Sequence, residues 1–173
     1  AGIPTEDGAR GRYPGVEESG GHSEWATVPD GERLRLASWT PPAGTAIRGT
    51  AILLNGRTEF IEKQIEFAGE LAGRGFVVWT LDWRGQGLSH RPLRPGAGGH
   101  IDSFETYLGD LGHVLAQIRD RAPRPWLFVG HSMGGHLALR HLAGHVHEAP
   151  AASGMPGVPA VIALAPMIAF NTA

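Results

Sequence analysis

With 173 residues, of which 42% are apolar and 18% charged, the chain has the size and makeup of one globular domain with a core of its own. A formal charge of -2 and a single lysine, Lys63, leave no basic cluster beyond 119–124, which excludes the footprint of a nucleic-acid binder. The lack of cysteine excludes disulfides, thiolate nucleophiles and cysteine zinc sites, and no apolar run reaches the roughly 18 residues needed to cross a bilayer.

Residues 1–21 are polar, glycine-rich and poor in large apolar side chains, and read as a flexible lead-in with no visible targeting signal. Residues 22–28 and 33–40 alternate roughly with period two around Pro29-Asp30-Gly31, which predicts an antiparallel hairpin. Residues 49–54 and 76–81 are continuous apolar runs, the pattern of strands buried on both faces. Between them Phe60, Ile61, Ile65, Ala68 and Leu71 share one face of a helix over 60–75, with Gly73 and Gly75 as stop signals. Strand, helix and strand with short links predict a parallel pair joined by a right-handed crossover.

Gly85-Gln86-Gly87, directly after the second of these strands, invites a dinucleotide-binding reading, and the sequence rejects it. His90 stands where the third glycine belongs, and the proline-broken run after it replaces the helix that would take a pyrophosphate. Further on, Phe104, Leu108, Leu111, Leu115 and Ile118 form one stripe of a helix, with Asp102 and Glu105 suited to its N-terminal cap. Trp126-Leu127-Phe128-Val129 is a strand that runs into Gly130-His131-Ser132-Met133-Gly134, and 135–144 reads as the helix behind it. A proline-rich loop over 144–159 and a last strand over 160–165 complete the pattern.

Gly130-His131-Ser132-Met133-Gly134 is G-x-S-x-G in the strand–turn–helix context that the motif requires of a nucleophile elbow. There a serine is held in a strained turn, and side chains at the flanking glycines would collide across it. Ser132 is therefore the candidate nucleophile, against the alternative of an ordinary glycine-flanked turn. His131 reads as structural, because adjacent residues in an elbow point differently. His141 and His145, four apart, and His147 nearby have a spacing that can hold zinc, but Leu142 occupies the place of the glutamate in H-E-x-x-H, so no metal site is expected. His22, His90, His100, His113 and His136 read as surface or hydrogen-bonding residues, and Asp82, Arg84 and Ser89 as braces of a loop beside the site. Phe60 and Trp83 could line a path to the site, with core packing as the default.

Four stretches occur in order: Asn55-Gly56-Arg57-Thr58-Glu59-Phe60, Asp82-Trp83-Arg84-Gly85-Gln86-Gly87-Leu88-Ser89, His100-Ile101-Asp102-Ser103-Phe104 and Gly130-His131-Ser132-Met133-Gly134-Gly135. Together they resemble the α/β-hydrolase fold, and more specifically the monoacylglycerol lipase and bacterial lysophospholipase group, which Ala165-Pro166-Met167 also fits. The resemblance implies an α/β architecture for 22–173, with a mostly parallel sheet and an N-terminal antiparallel hairpin. It implies that Ser132 attacks an ester of one fatty chain and that the backbone N–H groups of Met133 and Arg57 form the oxyanion hole. No metal or organic cofactor is implied, and the substrate would be a lipid or small ester met by a cytoplasmic protein in peripheral contact with a membrane. Asn55 departs from the histidine more frequent in the group and follows the lysophospholipase branch. The Arg57 side chain could meet an anionic headgroup, although an exposed arginine is ordinarily just solvated.

In this fold the triad acid and histidine follow later strands, which places Asp82 and Asp110 too early for the acid. All nine histidines precede residue 148, and 166–173 contain neither acid nor histidine. The expectation is the front part of a longer protein, inactive alone, with the last strands, cap, acid and histidine on polypeptide beyond this sequence or on a second chain. A small-ester carboxylesterase or an acyltransferase on the same serine is the alternative within the fold. A non-catalytic binding protein is the alternative of another class.

Overall fold

Six strands form one sheet: β1 (His22–Thr27), β2 (Arg33–Trp39), β3 (Gly49–Leu54), β4 (Phe76–Leu81), β5 (Trp126–His131) and β6 (Ala160–Leu164). The structure is a computed structural model that describes residues 14–91, 101–145 and 160–168. Strand order is β1-β2-β4-β3-β5-β6. β1 pairs antiparallel with β2 and β2 with β4, whereas β4, β3, β5 and β6 run parallel. The expected hairpin forms, and its turn closes through Gly31, whose N–H donates to the Val28 carbonyl at 2.8 Å and whose φ of +88° suits a residue without Cβ.

β3 is buried at every position because it lies between two strands and beneath helices on both faces. Its alternate side chains divide the core. Ile52 and Leu54 face one cluster with Trp79, Phe128, and residues of α2 (Phe104–Ile118) and α3 (Met133–His145). Ala51 and Leu53 face a second cluster with Val78, Val129, and residues of α1 (Ile65–Gly73). All four parallel strands point their carboxyl ends at one edge, and the loops there carry the motifs read from the sequence.

Several local expectations change. The helix expected over 60–75 opens as a 3-10 turn, Ile61–Gln64, before α1 proper begins. α3 starts at Met133, two residues before the expected start, because the Ser132 turn leads straight into it. The cap of α2 is Ser103, whose hydroxyl accepts from the Glu105 N–H at 3.1 Å, in place of the expected Asp102 and Glu105 pairing. The expected lead-in 1–21 is corrected in its described part. There Val16 is buried in the second cluster and Trp39 donates its indole N–H to Ser19 Oγ at 3.0 Å. The remainder of that lead-in, residues 92–100 with His100, and 146–159 with His147 lie outside the described residues.

Candidate active site

β5 ends at His131 and α3 begins at Met133, so Ser132 alone makes the turn, at a φ of +51°. A side chain in that region costs roughly 1–3 kcal/mol, which the surroundings must offset. They do so by binding both backbone polar groups of Ser132. Its N–H donates to the Leu164 carbonyl at 2.9 Å, and its carbonyl accepts from the N–H groups of His136 at 3.1 Å and Met167 at 3.0 Å. The end of β6 thereby holds the elbow in place.

The flanking glycines are needed for space. A Cβ on Gly130 would lie 2.6 Å from the Gly135 nitrogen, and one on Gly134 would lie 1.9 Å from the Leu54 carbonyl oxygen and 2.7 Å from that of Asn55. The second approach presses the first turn of α3 against the end of β3, where the chain enters the 55–60 loop. The two expected oxyanion donors belong to these touching segments. Met133 is the first residue of α3 and its N–H has no intrahelical acceptor. Arg57, two residues beyond Asn55, is exposed, and its N–H donates to no described residue.

The loop carrying Arg57 is a turn over 56–59 with Thr58 at a φ of +64°. Glu59 secures it from below, its carboxylate accepting from the Gly56 N–H at 2.6 Å and lying 3.1 Å from His131 Nδ1. From the side, Gln86 Oε1 accepts from the Thr58 N–H. Asn55 is buried, donating through Nδ2 to the Leu81 carbonyl and accepting the Trp83 indole N–H on its own carbonyl. Trp83 is thus a core residue, fully buried with its ring edge-on to Tyr107, and not the lining of an acyl path.

Asp82, Arg84 and Ser89 are the braces expected of them. Asp82 is completely buried at the end of β4 and accepts from the N–H groups of Ile61 at 2.9 Å and Leu88 at 3.0 Å, with Arg35 3.5 Å away. Burial pushes its carboxyl up to about 6, an effect that Arg35 and the two N–H groups only partly counter. Ser89 Oγ donates to the Asp82 carbonyl and accepts from the Arg35 N–H. Arg84 makes a two-pronged pair with Asp110, at 3.0 and 2.8 Å, and reaches Asp30 at 2.7 Å, so its guanidinium is held even more firmly charged than usual.

His131 is exposed and tied to Glu59, as its structural reading required. His141 is buried with its ring 5.8 Å from that of Phe128. Among the described residues no three metal-ligating side chains come together. In the sequence Glu59 and Gln86 stand out only as parts of motifs. A carboxylate three residues past a glycine was the one local signal for Glu59, and Gln86 had none, since its partner lies 28 residues away.

A mixed sheet of this strand order, with a left-handed serine between a parallel strand and a helix, defines an α/β-hydrolase. Residues 45–173 match the family described as serine aminopeptidase, S33, and the chain belongs to that family. Lysophospholipase L2 of Escherichia coli (strain K12) is 37% identical over 120 residues, which cover 67% of this chain and 32% of that protein. Monoglyceride lipase of Saccharomyces cerevisiae is 28% identical over 147 residues, 82% of this chain and 45% of that one. The crystal structure of a soluble variant of the Saccharomyces cerevisiae lipase, in complex with a substrate analog, superposes with a TM-score of 0.67 at 23% identity, covering 98% of this chain and 49% of its own. The chain thus spans about a third to a half of the length of these relatives. Among the described residues no helix is long and apolar enough to cross a membrane.

Proposed function

We propose that this chain carries the nucleophile and oxyanion hole of a serine hydrolase for carboxylic esters of a single fatty acyl chain, of the lysophospholipase or monoacylglycerol lipase type. The observation that carries the reading is the left-handed Ser132 at the N-terminus of α3, pressed by Gly134 against the strand end that leads to Arg57. The names of the sequence relatives support the substrate class. In the reaction Ser132 Oγ bonds to the ester carbonyl carbon, and its proton passes to a histidine and from there to the departing alcohol as the ester C–O bond breaks. Water then attacks the acyl-enzyme and releases the fatty acid. The N–H groups of Met133 and Arg57 would stabilise the oxyanion at each tetrahedral stage, a donor of this kind contributing about 3–4 kcal/mol.

The triad acid and histidine are assigned to polypeptide beyond these 173 residues, a reading supported by the greater length of the relatives. Contact with a membrane surface would follow from a lipid substrate. A fluorophosphonate, which bonds only to an activated serine, tests the proposal when intact mass and peptide mapping are read on the longest form of the protein. Labelling at Ser132, with turnover lost on the order of a millionfold in Ser132→Ala, is the expected result. Absence of label in a complete protein, or an unchanged Ser132→Ala variant, would reduce the chain to a hydrolase-fold binding protein.

A further inference from the structure

We propose that Gln86 is a positioning residue for the oxyanion hole, holding the turn that carries the Arg57 N–H in one of its two peptide orientations. The inference rests on the hydrolase reading of Ser132. Thr58 is the third residue of the 56–59 turn, and its φ of +64° is the positive value that a type II turn demands at that position, where glycine or asparagine is usual. Threonine is β-branched, and at positive φ it is a genuine outlier. The turn's own closing bond, Glu59 N–H to the Gly56 carbonyl, is long at 3.4 Å and cannot account for the strain.

What selects the strained form is the direction of the Arg57–Thr58 peptide. Its N–H points at Gln86 Oε1. Turning this peptide over would relax Thr58 to an ordinary negative φ, but would bring the Arg57 carbonyl oxygen against Gln86 Oε1, two acceptors face to face, and the Tyr107 hydroxyl at the donor end of the Gln86 amide opposes the amide rotation that would relieve them. Gln86 therefore makes the relaxed turn the unfavourable one. On the far side the Gly56 N–H is fixed by Glu59. The Arg57 N–H lies between these two anchored peptides and donates to no described residue.

Gln86 is itself held for this task. Its N–H donates to the Trp83 carbonyl at 2.9 Å, and its carbonyl accepts from the Ser89 N–H at 3.1 Å. Arg91 grips the neighbouring carbonyls, Gly85 at 2.8 Å and Gly87 at 2.7 Å. Gly87, at a φ of +51°, packs so close to Asp82 that a Cβ would lie 2.1 Å from its carboxyl carbon. The Gln86 side chain is buried, with its amide donor end against the Tyr107 hydroxyl. The Tyr107 hydroxyl at the donor end thus leaves Oε1 as the end that faces the Thr58 N–H.

The test compares Gln86→Met, which keeps length but loses the acceptor, with Gln86→Glu, which keeps an oxygen facing Thr58, in the longest form of the protein. Thermal unfolding establishes that each variant is folded. Gln86→Met should slow fluorophosphonate labelling of Ser132, and kcat on a p-nitrophenyl ester, by on the order of tenfold or more, with KM unchanged, because the oxyanion exists only on the way to the intermediate. Gln86→Glu should retain most of the wild-type rate. Adding Thr58→Gly to Gln86→Met should recover a substantial part of the loss, since glycine takes positive φ without the Cβ penalty. A general packing role for Gln86 gives no such rescue. Wild-type labelling rates in Gln86→Met, or equal loss in folded Gln86→Glu, overturn the inference while leaving Ser132 in place. If Gln86→Met does not fold, Gln86→Glu decides by the same criterion. A wild type that takes no label removes the hydrolase reading itself.

Discussion

Ser132 and Gly134 show how closely chemistry and steric fit coincide at single residues. The Cβ that alanine would add at Gly134 falls 1.9 Å from the oxygen and 2.4 Å from the carbon of the Leu54 carbonyl, both backbone atoms of a strand end that cannot rotate away. Gly134→Ala should therefore destabilise the fold by about 3 kcal/mol, at the upper end of overpacking costs, and should separate Met133 from the Arg57 turn. Gly69 supplies the opposite case. It is exposed within α1 with nothing within 4 Å of a would-be Cβ, so Gly69→Ala should add roughly 0.5–1 kcal/mol through helix propensity alone. Urea titration of both variants checks the pair. Equal effects of the two substitutions would mean that the elbow is not packed as described.

At the scale of elements, the carboxyl end of β4 is fastened to the start of the 61–64 turn and to the 82–89 loop through one carboxylate, Asp82. Its folded pKa of about 6 lies above the unfolded value near 3.8. Between these pH values the folded state binds the additional proton, so ∂ΔG/∂pH of unfolding is negative and the Asp82 contribution declines as pH rises from about 4 to about 6, then stays level. Asp82→Asn should remove that decline, and the difference between wild-type and variant urea midpoints at pH 4, 5, 6 and 7 reads it directly. Parallel pH profiles would sink the assignment. The sequence showed much of this scale, because strands buried on both faces, such as β3, read as unbroken apolar runs, and the α2 stripe repeats at helical spacing. It showed less where geometry is set from a distance. Met133-Gly134-Gly135 does not look helical, yet it begins α3 because the strained serine before it directs the chain there. Gln86 serves Thr58 across the fold, a pairing that neither residue's neighbours announce.

Across the whole molecule the two faces of the sheet are covered unequally. α2 and α3 pack on one face, while on the other α1 serves the second cluster. β6 is the last described strand in the order, and its register sets Ile162 opposite Val129 and Leu164 opposite His131. Ile162 and Leu164 are 46% and 49% exposed, so the β6 side presents apolar side chains at a strand edge that pairs with no further strand among the described residues. An apolar surface next to a free strand edge invites further strand pairing. With relatives two to three times longer than the span they share with this chain, cover from further polypeptide is the expected arrangement. The 173-residue chain by itself should then associate, and light scattering behind size exclusion should find species well above its 18.4 kDa. Replacing Ile162 and Leu164 with lysine should return it toward a monomer by charging the exposed face, while the same pair of substitutions in the longest form should lower stability by burying two charges. A wild-type chain that runs as a clean monomer, or a long form indifferent to both lysines, would show that this face is solvent-exposed by design and that the cover lies elsewhere.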